Sequence, residues 1–175
     1  MRKSWLAVPG FFALAALATV LSAYSAASSS QGNSPVQPVR FPHPVHVQTL
    51  KMNCVYCHFS ATKSPDPGLP AMSTCMGCHT VAGTQKPEIQ KLASYWNKKQ
   101  PVPWIRIHKL PEYVHFPHMR HVSAGVSCQT CHGQVQNMAQ VQQQNSLNMG
   151  WCVNCHIGRS NPPFKARYDC ATCHY

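Results

Sequence analysis

The chain has 175 residues, among them 10 Cys, 11 His and 15 Pro, and a formal net charge of +11 from 15 Lys and Arg against 4 Asp and Glu. Charged residues are 11% of the chain, against about 25% in an ordinary domain. The only acids, Asp66, Glu88, Glu112 and Asp169, stand far apart, which leaves paired-carboxylate chemistry almost no basis. With no Gly-rich phosphate loop, Walker lysine or G-x-S-x-G, nucleotide chemistry and serine hydrolysis have no foothold either. The basic residues are scattered and form no stripe, so the charge does not mark a nucleic-acid surface.

At the N-terminus, Arg2 and Lys3 precede an apolar run from Trp5 to Tyr24, and no charged residue falls between Lys3 and Arg40. Such a run is long enough to span a bilayer. Small residues at Ser25-Ala26-Ala27 would also suit signal cleavage. The expectation is an uncleaved, signal-like transmembrane anchor over residues 1–24. Arg2 and Lys3 then stay inside, and the rest of a single-pass protein lies on the outer, periplasmic face of the cell membrane. Residues 25–39 are rich in Ser, Gln and Pro and read as an extended linker.

The following chain contains an internal duplication. Phe41-Pro42-His43-Pro44-Val45-His46 precedes Cys54, and Phe116-Pro117-His118-Met119-Arg120-His121 precedes Cys128. Between the copies, Ile89, Leu92, Ala93 and Trp96 recur at helical spacing within Lys86 to Lys99, and Pro101 and Pro103 stop the pattern. A second short helix is expected across Val135 to Gln144. The resulting division is 40–85, a connector helix at 86–104, and 105–175.

All ten cysteines fall into one pattern: Cys54/Cys57-His58, Cys75/Cys78-His79, Cys128/Cys131-His132, Cys152/Cys155-His156 and Cys170/Cys173-His174. C-x-x-C-H is the attachment signature of c-type haem: two thiols add to two vinyl groups and the adjacent His reaches the iron. Zinc ribbons share one metal between two C-x-x-C pairs and need no His after each. Disulfides do not demand this spacing five times. The motifs therefore predict five covalently bound haems c, two in the 40–85 module and three in the 105–175 module. The fold class expected is a multihaem cytochrome c: short helices and loops around five haems, little regular secondary structure, and one N-terminal transmembrane helix. The porphyrins themselves would form the core, and their propionates would roughly balance the basic excess. Arg106, Arg120, Arg159 and Arg167 are candidate propionate partners.

Five proximal ligands leave six further histidines: His43, His46, His108, His115, His118 and His121. His43 and His46 are three residues apart, as are His118 and His121, so each pair can point at two different irons. His108 and His115 compete for the remaining haem, with Met138 and Met149 as further candidates. Met ligation would raise that haem's potential.

The F-P-H-x-x-H…C-x-x-C-H order resembles the multihaem cytochrome c7 and c3 group. The resemblance implies that His43 serves the haem of Cys54/Cys57 and His118 that of Cys128/Cys131, with His46 and His121 serving other haems. More specifically, the anchor, the five motifs, Trp104-Ile105-Arg106-Ile107-His108-Lys109-Leu110-Pro111 and Met149-Gly150-Trp151-Cys152 resemble the pentahaem cytochrome c subunit of bacterial alternative complex III. That resemblance favours His108 as the fifth distal ligand. It implies an electron relay inside a membrane quinol oxidoreductase. The partners would be an iron–sulfur subunit, polytopic membrane subunits and a monohaem cytochrome c.

Six-coordinate haem has no open position for substrate, which also fits a relay with no catalytic residue of its own. The alternative is a stand-alone, membrane-anchored multihaem quinol dehydrogenase feeding a periplasmic reductase, with one open haem. A multihaem reductase of nitrogen or sulfur oxyanions would also need a five-coordinate haem. Carbon monoxide binding separates the three.

Overall fold

The computed structural model describes residues 12–20, 30–160 and 163–175. Helix α1 covers residues 12–20, with exposed side chains. Most of the anchor expected at 1–24 lies outside the described residues, and no helix among them is long and apolar enough to cross a membrane.

Beyond it, seven short helices follow: α2 (Cys54–Cys57), α3 (Met72–His79), α4 (Pro87–Asn97), α5 (His118–Ser123), α6 (Cys128–His132), α7 (Met149–His156) and α8 (Cys170–Cys173). A π-helical turn spans Pro44–Thr49, and 3-10 turns span Phe59–Thr62 and Val135–Asn137. Among the described residues the one β-bridge joins Ile157 to Lys165. Short helices and little regular structure agree with the expected fold class.

Each C-x-x-C lies on a helical turn, because residues i and i+3 share a face there and two thiols can reach one planar group. The sequence starts these turns with capping residues. Asn53, Ser127, Asn148 and Asp169 occupy the N-cap positions of α2, α6, α7 and α8. Asn53 Oδ1 accepts from Val55 N at 3.0 Å, and Asn148 Oδ1 accepts from Trp151 N at 2.8 Å.

The hydrophobic core is small. Val39, Met76, Leu92 and Val102 are buried together, flanked by Met72, Cys75, Ala93, Tyr95 and Trp104. Leu92 and Ala93 belong to the apolar stripe expected of the connector, and α4 presses that stripe onto α3. So slight a polypeptide core agrees with an interior built on porphyrin faces.

Residues 30–39 are docked along two other segments. Gly32 N donates to Gln143 O at 2.7 Å, and Gln143 N donates to Asn33 O at 2.9 Å. The Gln37 side chain makes two bonds to the Ile105 backbone, both 2.9 Å. Val39 carries the segment into the core.

This docking explains a departure from the sequence expectation. Val135 to Gln144 is helical only at Val135–Asn137, because the backbone near Gln143 bonds to residues 32–33 instead of closing turns. Gln143 is 1% exposed. Its amide donates to Asn145 O at 3.0 Å, which satisfies the buried group locally.

Candidate haem sites

All ten cysteines are unpaired. Burial, the largest cause, raises the Cys131 thiol to about 11, and the neighbouring Cys155 and Cys152 push the same way. Burial likewise raises Cys57, Cys75, Cys128 and Cys152. These side chains stay neutral thiols at neutral pH.

The cysteines are not equally enclosed by polypeptide. Cys78, Cys128 and Cys170 are exposed, and the other seven are half-buried. The second motif shows the contrast. Cys75 packs against the apolar cluster on α3, whereas Cys78, its expected partner in haem attachment, lies on the surface one turn later. The reason is that α3 ends there: the chain turns away after His79, with Val81 N and Ala82 N donating to Cys78 O at 3.1 and 2.8 Å. The polypeptide therefore covers one thiol of this pair and leaves the other open. The expectation that porphyrin, not protein, encloses the motifs gives Cys78 its cover.

The two F-P-H-x-x-H copies fold alike at side-chain level. Phe41 meets His43 edge-on with ring centres 4.8 Å apart and stacks on His46 at 4.3 Å. Phe116 meets His118 edge-on at 4.8 Å and stacks on His121 at 4.1 Å. The Nδ1 of His46 lies 3.2 Å from Pro42 O, and that of His121 lies 3.1 Å from Pro117 O. In each copy the Phe fixes both imidazoles and the Pro carbonyl fixes the tautomer of the second.

Three of the imidazoles that follow a C-x-x-C are held in the same way. The Nδ1 of His79 lies 2.9 Å from Ala82 O, that of His156 lies 2.5 Å from Arg167 O, and that of His174 lies 3.0 Å from Tyr113 O. A carbonyl on Nδ1 leaves Nε2 as the free donor atom and raises its basicity, which is the usual support for a metal-bound His. His43 Nδ1 is buried without a hydrogen-bond partner, a costly state unless something else engages the ring.

With metal–nitrogen bonds of about 2 Å, two imidazoles on one iron place their ring centres about 6 Å apart. His46 and His79 stand 6.1 Å apart, His118 and His132 6.2 Å, and His121 and His156 6.1 Å. His43 interacts electrostatically with His58. The structure thus brings His43 toward the first motif and His46 to the second, and His118 to the third and His121 to the fourth. Burial, the largest cause in each, lowers His43 and His132 to about 4 and pulls His58, His108, His118 and His121 down as well. All are neutral imidazoles at neutral pH, with a lone pair available to a metal.

His108 lies elsewhere than the fifth motif. Its ring centre is 4.4 Å from that of His132, too close for an iron between them, and its Nε2 is 3.3 Å from His132 Nδ1. It is thereby a hydrogen-bond partner of the His132 ring. His115, the residue the resemblance disfavoured, is nearer the fifth motif. Its N donates to Cys173 O at 2.9 Å and its ring stacks on Tyr175 at 4.4 Å. Met149 is 67% exposed at the start of α7, and Met138 packs against Gly133. Of the candidate propionate partners, Arg167 is paired with Asp169 at 3.1 Å and Arg106 bonds to His108 O at 3.2 Å. Sequence reasoning missed the supporting carbonyls of Pro42, Pro117, Ala82, Arg167 and Tyr113. The Pro residues beside the duplicated His were the one available signal.

Among the described residues no group of three or more His, Cys, Asp or Glu side chains converges to hold a bare ion, as shared zinc would require. Paired imidazoles and helical thiol pairs are instead the donor set of covalent haem.

The comparisons agree with that donor set. Residues 114–175 match the model of cytochrome c7 and related cytochrome c. A relative from Nitratidesulfovibrio vulgaris (strain Hildenborough), the multiheme cytochrome c subunit of menaquinone reductase, is 27% identical over 146 residues, covering 71% of this chain and 70% of the relative. Covalently bound haem c and electron transfer follow from the motifs and these matches together. Residues 20–109, just over half of the chain, match the model of the class III cytochrome c family, and the chain belongs to that family.

Proposed function

We propose that this chain is the electron-relay subunit of a membrane quinol oxidoreductase and carries five covalently bound haems c. The observation that carries the reading is the set of imidazole pairs at 6.1–6.2 Å, which leaves no ligand position for substrate at those sites. When bound, haem supplies a one-electron couple. The polypeptide's own work is to fix each group through two thiols and to hold the imidazoles by Phe41, Phe116 and backbone carbonyls. Residues 1–24 would anchor the chain, with the haem domain on the periplasmic face. In the alternative complex III assignment, quinol is oxidised on polytopic and iron–sulfur partner subunits and electrons leave to a monohaem cytochrome c.

A second reading reverses the flow. The relative is a subunit of a menaquinone reductase, which favours a chain that delivers electrons to quinone. The discriminating experiment is a native gel of detergent-solubilised membranes, stained for haem and run denaturing in the second dimension. Co-migration with polytopic subunits supports a complex. Migration alone, or with one soluble reductase, removes that reading in favour of a stand-alone quinol dehydrogenase or a free carrier. Quinol oxidation against quinone reduction by the isolated complex then fixes the direction.

A further inference from the structure

We infer that the five attachment motifs form one unbranched row in the spatial order second, first, third, fourth, fifth. The Cys75–His79 and Cys170–His174 motifs are its two ends.

Four links build the row. The first and second motifs are joined through His43 and His46, three residues apart, one interacting with His58 and the other paired with His79. Cys57 and Cys75 interact as well. The third and fourth motifs are joined by the copy of that device: His118 and His121 reach His132 and His156.

The first-to-third link crosses the duplication. The backbone closes the same junction: His118 N donates to Pro65 O and Met119 N to Ser64 O, both at 3.2 Å. The turn Phe59–Thr62, which follows His58, packs on α5. The fourth-to-fifth link is made by the chain leading into α8: Ala166 N donates to His156 O at 2.9 Å, and Arg167 O, three residues before Cys170, lies 2.5 Å from His156 Nδ1.

His174, at one end of the row, is exposed. Exposed Tyr113, Tyr168 and Tyr175 belong to that end. At the opposite end the outer thiol, Cys78, is exposed too.

The consequence rests on the relay reading: electrons enter at one end motif and leave at the other, and redox partners meet the chain there. Sequence order would have placed the first motif at an end. Instead it sits inside, between the second motif and the three-haem module.

The test is the iron positions in the haem-loaded, full-length protein, by crystallography or electron cryo-microscopy. The iron held by His58 is expected to have those of His79 and His132 as its nearest neighbours, with the His79 and His174 irons the most widely separated pair. An iron at His79 adjacent to that at His132, or an end position for His58, overturns the order. Solution data give a second readout. His46→Met replaces an axial ligand at the second site and raises the potential there. In a redox titration resolved haem by haem, the first-site midpoint should be the neighbour that moves most. A larger movement at the third or fourth site overturns the row. Failure of the complex reading is separate: a chain that migrates alone on the native gel with the expected iron order removes the complex and leaves the row standing.

Discussion

The two F-P-H-x-x-H copies share ring geometry to within a few tenths of an ångström but not backbone. The first is a π-helical turn, Pro44–Thr49, and the second is the α-helix His118–Ser123. The first copy has one residue more between its second His and the following Cys (eight steps from His46 to Cys54, seven from His121 to Cys128). A π turn absorbs an inserted residue without displacing the elements on either side. Both copies then leave the turn through a left-handed residue, Lys51 with φ 56° and Gly125 with φ 81°. What the duplication preserves is therefore the placement of two imidazoles by Phe and a Pro carbonyl. Helix type was free to change.

The copies invite disruption at matched positions. The largest expected effect is loss of a distal ligand. His121→Ala or His46→Ala should each add one equivalent of carbon monoxide binding to that of the unmodified chain, read from the ferrous spectrum. No added binding in either variant would contradict the pairing of His46 with His79 and of His121 with His156. Next comes ligand exchange: His118→Met should raise the third-site potential by on the order of 0.1 V, within the span that axial ligation covers. An unchanged set of midpoints removes His118 from the iron.

His108→Ala should have a smaller effect at that same site. Without the acceptor on His132 Nδ1, the axial ring becomes less basic and the third-site potential rises by less than in His118→Met. His108→Asn, which can still accept, should restore most of the value. Carbon monoxide binding at the fifth site in His108→Ala would instead make His108 the fifth distal ligand. The smallest effect concerns the backbone. Gly125→Ala meets nothing within 4 Å, so its cost is the left-handed φ alone, about 1–2 kcal/mol. Lys51→Gly should stabilise by a similar or smaller amount. Thermal unfolding of both variants measures the pair.

The local placement of thiols and imidazoles was legible in the sequence because it is written in spacing: C-x-x-C-H sets thiols and imidazole on one turn, and H-x-x-H sets two imidazoles one turn apart. The connector was legible because Ile89, Leu92, Ala93 and Trp96 make a stripe, and α4 follows it. What spacing cannot show is which distant motif a second imidazole meets. His46 with His79 and His121 with His156 are tertiary facts. Nor does spacing show which thiol of a pair the chain covers, as Cys75 and Cys78 illustrate. Spacing counts His108 as a spare ligand and does not show that its Nε2 lies 3.3 Å from His132 Nδ1. Val135 to Gln144 misled because a helix pattern does not reveal that residues 32–33 take up its backbone bonds.

The most direct test of the central claim is the number of haems per polypeptide, from the pyridine haemochrome spectrum and the mass of the purified, denatured chain. The account predicts five, all surviving denaturation because each is held by two thioethers. Fewer than five, or haem released on denaturation, would contradict it.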